Sequence, residues 1–108
     1  MKKLLILFAF IVSINANAQT DSIRIKTSAV CETCKETIEH DLSFVKGIIS
    51  SSLDLKTHEL SVVYDSRKID AVKIRNEVSK IGYNADSVKA DPKAFKRLPE
   101  CCKKPHNE

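Results

Sequence analysis

The spacing of apolar residues switches between a period of two and a period of about 3.6 along residues 22–90, and the order of the switches leaves few folds open. Ile23 and Ile25 alternate in SIRIKT at 22–27, the pattern of a half-buried strand. Cys34, Ile38, Leu42 and Val45 then recur at helical spacing, with Thr33 and Glu36 as a capping box that makes Thr33 the N-cap, and with Gly47 closing the segment. Residues 48–65 alternate again around a turn at 56–58, placing Leu53 and Leu55 opposite Leu60, Val62 and Tyr64 in an antiparallel hairpin. Asp70 is set to cap a second helix whose stripe is Ala71, Ile74, Val78 and Ile81, and Gly82 to end it in a left-handed conformation. Residues 83–90 predict a last short strand. Strand, helix, strand, strand, helix, strand is the βαββαβ order of a ferredoxin-like α+β sandwich, an antiparallel four-stranded sheet with two helices on one face.

The residues ahead of this pattern belong to something else. MKKLLILFAFIVSINANA pairs a Lys2/Lys3 start with an apolar run from Leu4 to Val12, extended to Ile14, and a small-x-small site at Ala16-Asn17-Ala18. Together these read as a secretory signal peptide over residues 1–18. The run falls short of the roughly 20 residues that span a bilayer, and no cysteine precedes Cys31 as a lipid attachment point. The expected mature chain begins at Gln19, is exported, periplasmic if the source is Gram-negative, and is not membrane-embedded. Removing 18 of 108 residues leaves 90, room for one domain at 19–89 and a tail at 90–108. That tail holds all three prolines with Cys101, Cys102 and His106. Without Lys2 and Lys3 the formal net charge drops from +4 to +2, which predicts no polyanion partner. Nucleic acid is disfavoured further because the sheet offers little aromatic stacking surface beyond Tyr64. A monomer is expected.

Four cysteines in an exported chain meet an oxidising compartment, where pairs are ordinarily disulfides, and spacing alone does not choose among the three pairings. Cys31 and Cys34 have a further use. As the first helical residue, Cys34 faces unpaired backbone N–H groups that stabilise a thiolate, and Cys31 stands one turn away. Two such thiolates suit a soft ion that accepts near-linear coordination, Cu(I) or Hg(II), whereas Zn(II), like Cd(II) a second choice here, prefers four ligands. The open coordination sphere lets an incoming thiolate attack the ion and carry it off through a three-coordinate intermediate, so the pair suits transfer better than storage. A thiol-disulfide redox protein uses the same motif, but residues 19–91 contain no proline to face the thiols in the cis form seen in thioredoxin-like proteins. A disulfide-stabilised interaction module without metal is the other alternative. Covalent haem attachment is excluded, since Lys35 stands where histidine is needed.

VCETC after a strand, VKGI at 45–48, VVYD at 62–65 and IGYNADSV at 81–88 together resemble the heavy-metal-associated domain, in the layout of exported mercury-binding proteins and bacterial copper chaperones, over about residues 23–88. The resemblance implies one soft metal ion on Cys31 and Cys34, no enzymatic turnover, and delivery to a membrane metal transporter or a similar metal-binding domain, in metal transport or detoxification. It places Tyr83 beside the metal loop, as a shield or as core packing. Where the family commonly has Gly-Met this chain has Ser28-Ala29. That methionine anchors the loop in the core, so Ala29 implies a loop that is more mobile or is held by another side chain. With Met1 in the leader, thioether ligation is excluded.

Three readings stay open for Cys101, Cys102 and His106: completion of the metal site, an independent Cys-Cys-His site, or disulfides, a vicinal Cys101–Cys102 bridge being least favoured because it strains the intervening peptide. The predicted last strand carries the chain about 23 Å away from Cys31, at about 3.3 Å per residue. A helix at 93–97 shortens the return to a tight reach. Glu32, Glu36, Glu39 and Asp41 read as a solvated face or as an acidic rim for docking a basic partner, and His40 and His58 read as solvated.

Overall fold

The computed structural model describes residues 19–103; the signal peptide expected at 1–18 and His106 lie outside the described residues. Along the chain run β1 (Thr20–Lys26), α1 (Glu32–Leu42), β2 (Ile48–Asp54), β3 (Glu59–Asp65), α2 (Ala71–Ile81), α3 (Pro92–Arg97) and α4 (Glu100–Lys103). The strands form an antiparallel sheet in the order β1-β3-β2. Register sets Leu60 between Ile25 and Leu53, and all three are buried with Val62 against Ile38 and Leu42 of α1 and Ile74 and Val78 of α2. Each such side chain contributes about 1.5–3 kcal/mol on leaving water. This is the expected α+β sandwich, corrected at its last strand and at the ends of α1.

Residues 83–90 do not form the fourth strand. Ala85 makes only isolated bridges, to Thr27 and to Val88. The Ala85 and Val88 amides each donate to the other's carbonyl, at 2.8 and 2.9 Å, around Asp86 at φ 53°. This tight turn displaces a strand because Asp86 takes over the free edge of β1. Its carboxylate accepts from the Lys26 N–H at 2.9 Å, and its own N–H donates to the Lys26 carbonyl at 2.8 Å. The chain therefore reverses instead of running away from the Cys31 loop. The Ser79 hydroxyl donates to the Lys89 carbonyl and the Asp91 N–H donates to the Ser79 carbonyl, turning residues 89–91 back along α2.

α2 starts and stops as its sequence predicts. Asp70 accepts from the Lys73 N–H at 2.9 Å, and Gly82 closes the helix at φ 122°, a conformation available to glycine without a Cβ penalty. Gly82 also lets the following chain approach: a Cβ there would stand 3.2 Å from the Ala94 carbonyl and from Leu98 Cδ1. α3 sits in that space, capped by Asp91 with Pro92 in its first turn, and Leu98 and Cys102 join the core.

α1 departs from its predicted bounds at both ends. Its N-cap is Cys31, not Thr33, and the Thr33–Glu36 capping box does not form. The Cys31 carbonyl already accepts from the Lys35 N–H at 3.1 Å, which draws Thr33 into the first turn, where its hydroxyl is no longer positioned to cap. The helix ends at Leu42, because Ser43, Phe44 and Val45 continue as tight turns donating three residues back. Val45 still packs on the core at the edge of this turn.

Candidate metal centre

The loop between β1 and α1 is tied down by polar contacts. The Ala29 N–H donates to Thr27 Oγ1 at 3.2 Å, and the Ala29 carbonyl accepts from His58 Nδ1 at 2.9 Å. The Thr27 hydroxyl and amide both reach the His58 carbonyl, at 3.0 and 2.9 Å. The Asn84 N–H donates to Ser28 Oγ at 2.9 Å. Ala29 is fully buried, so the loop lacking a methionine is held by Thr27, His58 and Asn84. His58, expected to be solvated, is half-buried in a left-handed conformation at φ 65° and serves as this latch.

At the end of the loop stand four thiols. Cys31 Sγ lies 3.1 Å from Cys34 Sγ, as the C-x-x-C spacing anticipates. α4 adds the other two: Cys101 Sγ is 2.7 Å from Cys31, and Cys102 Sγ is 2.6 Å from Cys34 and 3.5 Å from Cys31. Cys34 and Cys102 are buried, while Cys31 and Cys101 keep partial access to solvent. The sulfurs of Cys31, Cys101 and Cys102 all lie within 4.8 Å of one another, close enough to share an ion.

The pKa of the Cys31 thiol is lowered below its ordinary value. Burial pushes its thiol up, but hydrogen bonds from Cys101, Cys34 and Cys102 outweigh that and bring it down to about 7. Cys101 is held above its ordinary value, chiefly by its contact with Cys31 and then by burial. Burial, followed by the contact with Cys34, drives Cys102 higher still. The backbone N–H of Cys34, at the helix start, joins these thiols in lowering Cys31.

Tyr83 is fully buried against the same cluster, its hydroxyl beside Cys102 and Cys34 and without a hydrogen-bond partner. Burial keeps the phenol protonated. The acidic residues of α1 divide between packing contacts and solvent. Glu39 is engaged by Lys35 at 2.6 Å and accepts from the Leu53 N–H at 2.8 Å, fastening α1 to β2. Asp41 faces His40 at 3.0 Å, and Glu32 and Glu36 remain exposed. A surface hollow of about 680 Å³ lined by Phe44, Ile69, Asp70 and Lys73 opens at the other end of the sheet and contains no thiol.

Sequence reasoning missed α4, and a signal for it was present. Leu98-Pro99-Glu100 puts a proline and then an acid at a helix start, and the Pro99 carbonyl accepts from the Cys102 N–H at 2.9 Å.

Comparison with known proteins identifies the domain that carries the Cys31 loop. The family model for the heavy-metal-associated domain matches residues 28–84. The mercuric transport protein periplasmic component of Acinetobacter calcoaceticus is 29% identical over 86 residues, covering 77% of this chain and 93% of that protein. A zinc-transporting ATPase of Synechocystis is 31% identical over 64 residues, 59% of this chain but only 8% of the ATPase. Among solved structures, the CopZ metallochaperone superposes with a TM-score of 0.58 at 23% identity, covering 60% of this chain and 98% of its own. Oxidized MerP from Ralstonia metallidurans CH34 gives 0.59 at 20%, covering 62% and 94%. These likenesses show the shared fold. No helix among the described residues is long and apolar enough to cross a membrane.

Proposed function

Since the chain belongs to the heavy-metal-associated domain family, we propose that it captures a soft metal ion on Cys31 and Cys34 and hands it on by thiolate exchange. The observation that carries this reading is the pair itself. One thiol is half-exposed and lowered to about 7, and a second, buried thiol lies 3.1 Å away at the start of α1. Cys31 is the entry point: it is deprotonated in an appreciable fraction of molecules near neutral pH and open to solvent, so it meets the ion first. Cys34 closes on the ion second, releasing its proton to solvent. Cu(I) and Hg(II) fit two thiolates better than Zn(II) or Cd(II) does, because they accept two near-linear ligands. Release runs through the exposed side, where an incoming thiolate displaces Cys31.

The acceptor is a membrane metal transporter or a similar metal-binding domain, and the setting is metal transport or detoxification in an exported protein, periplasmic if the source is Gram-negative. Support for the location comes from the leader-like residues 1–18 and from the periplasmic component to which the chain is similar. The protein acts by binding and transfer, without turnover of a substrate. Native mass spectrometry of reduced residues 19–108 with Cu(I), Hg(II) and Zn(II) tests the assignment. One soft ion per chain is expected, and loss of it in Cys31→Ser/Cys34→Ser. Undiminished binding by that variant overturns it. The close approach of four thiols also favours a second reading, thiol-disulfide exchange, which insulin reduction at the rate of a known oxidoreductase would select instead.

A further inference from the structure

We infer that Cys101 and Cys102 are ligands of the same ion: α4 lays a second thiol pair over the first, so that one metal is retained by four sulfurs and leaves more slowly than it would from Cys31 and Cys34 alone. The inference rests on capture at Cys31 and Cys34 and adds the state in which the ion is kept.

The arrangement is a built one. Pro92 and Asp91 start α3, Gly82 leaves room for it, Ser79 turns the chain toward it, and buried Leu98 and Cys102 fasten the segment to the core. These contacts bring sulfurs 70 and 68 positions apart in sequence to 2.7 and 2.6 Å. The two tail sulfurs are 4.0 Å from one another, farther than either is from its loop partner. They therefore work across the cluster with Cys31 and Cys34 and not as a separate pair.

Four thiolates at about 2.3 Å around a tetrahedral ion stand about 3.8 Å apart. Of the separations, 2.6, 2.7, 3.1 and 3.5 Å are shorter than that value and 4.0 Å is slightly longer; Cys31, Cys101 and Cys102 already lie within 4.8 Å of one another, and closing on an ion with Cys34 as the fourth ligand spreads the sulfurs by movements on the order of 1 Å. A buried phenol without a partner faces Cys34 and Cys102. Once those sulfurs are thiolates, its O–H has stronger acceptors beside it than the thiols offer.

The chemical class follows from the ligand count. Divalent d¹⁰ ions that favour four thiolates, Cd(II) and Zn(II), gain most from α4, whereas a near-linear ion is already satisfied by two. Transfer is a ligand exchange with no change of oxidation state. Each metal–sulfur bond to Cys101 or Cys102 that breaks is replaced by one to an incoming thiolate. That thiol's proton leaves to solvent, and the detached cysteine takes a proton back. A partner's thiols must approach the face that α4 covers, so the tail and the partner compete for one position.

The test uses reduced residues 19–108 with Cd(II) as the probe. Sulfur ligands are counted by cadmium NMR and X-ray absorption, stoichiometry is read by native mass spectrometry, and release is followed into an added dithiol chelator. One ion with four sulfurs is expected for the unaltered chain, three sulfurs for Cys101→Ser and two for Cys101→Ser/Cys102→Ser. Release from the double variant should be faster by more than the roughly 10–100-fold that loss of an outer-shell contact costs. An unchanged sulfur count and release rate in the tail variants, or two ions per chain, overturns the inference. Cys31→Ser/Cys34→Ser separates the two proposals: if it still binds as the unaltered chain does, capture at those residues is what fails. Should serine at buried position 102 unfold the protein by circular dichroism, Cys101→Ser at the half-exposed position still decides through the sulfur count.

Discussion

Replacing Gly82 by alanine strains the molecule in two separable ways. The backbone there has φ 122°, which costs an L-residue about 1–2 kcal/mol in any environment. The new Cβ also meets the Ala94 carbonyl and Leu98 Cδ1 at 3.2 Å, a few tenths of an ångström inside comfortable contact. Lifting α3 relieves the second strain but not the first, and forfeits up to about 1.5–3 kcal/mol from the burial of Leu98. The expected result is a global loss of about 2 kcal/mol, a fall in Tm of about 8–16 °C for a domain of this size, together with selective loosening of residues 92–103. Gly47→Ala is the matched control. It has φ 99° and a Cβ 2.8 Å from Ile69 Cγ2, at the end of the sheet away from the thiols, so it lowers stability without singling out the tail. Hydrogen exchange followed by mass spectrometry compares a peptide over 92–103 with one over 48–65. Gly82→Ala should accelerate the tail well beyond the sheet, and Gly47→Ala should not. Equal patterns in the two variants would refute the claim that Gly82 seats the tail.

Tyr83→Phe removes a buried hydroxyl that has no partner, so urea unfolding of the reduced, metal-free protein should show unchanged stability or a gain of up to about 1 kcal/mol; a loss of more than about 1 kcal/mol contradicts the geometry. Burial raises the Asp86 carboxyl, but the Arg75 guanidinium at 2.8 Å and the Lys26 N–H hold it below the ordinary value. Its folded value is thus below the unfolded one of about 3.9, so its stabilisation is present above that pH and is lost as pH falls through the folded value. The difference between wild type and Asp86→Asn, measured by urea unfolding, should accordingly be largest near neutral pH and close toward about pH 2; a constant difference rules the coupling out. Glu39→Gln keeps an acceptor for the Leu53 N–H but loses the charge facing Lys35, a pair about 30% exposed, and should cost only about 0.5 kcal/mol. Glu39→Ala loses both contacts and should cost about 1–2 kcal/mol by the same assay.

Much of this architecture was legible because its signals are local. Asp70 and Gly82 bracket α2 within a stretch of 13 residues, and the hairpin alternates within a window of 18. The C-x-x-C pair is brought together by one helical turn. What could not be read depends on neighbours distant in sequence. Asp86 displaces a fourth strand because its carboxylate finds Lys26 from 60 positions away. His58 replaces a missing methionine as the anchor of the loop by reaching a carbonyl 29 positions back. Glu39, read as part of a solvated face or an acidic rim, is instead engaged by the Leu53 N–H on another element.

The sequence by itself determined the order of the first five elements, the ends of α2 and the thiol pair at the mouth of α1, since each is set by interactions between residues a few positions apart. Only the tertiary structure decided that Cys101 and Cys102 lie on Cys31 and Cys34. That meeting depends on a turn at Asp86, a space above Gly82 and the burial of Leu98, and each exists only once the sheet and helices have assembled.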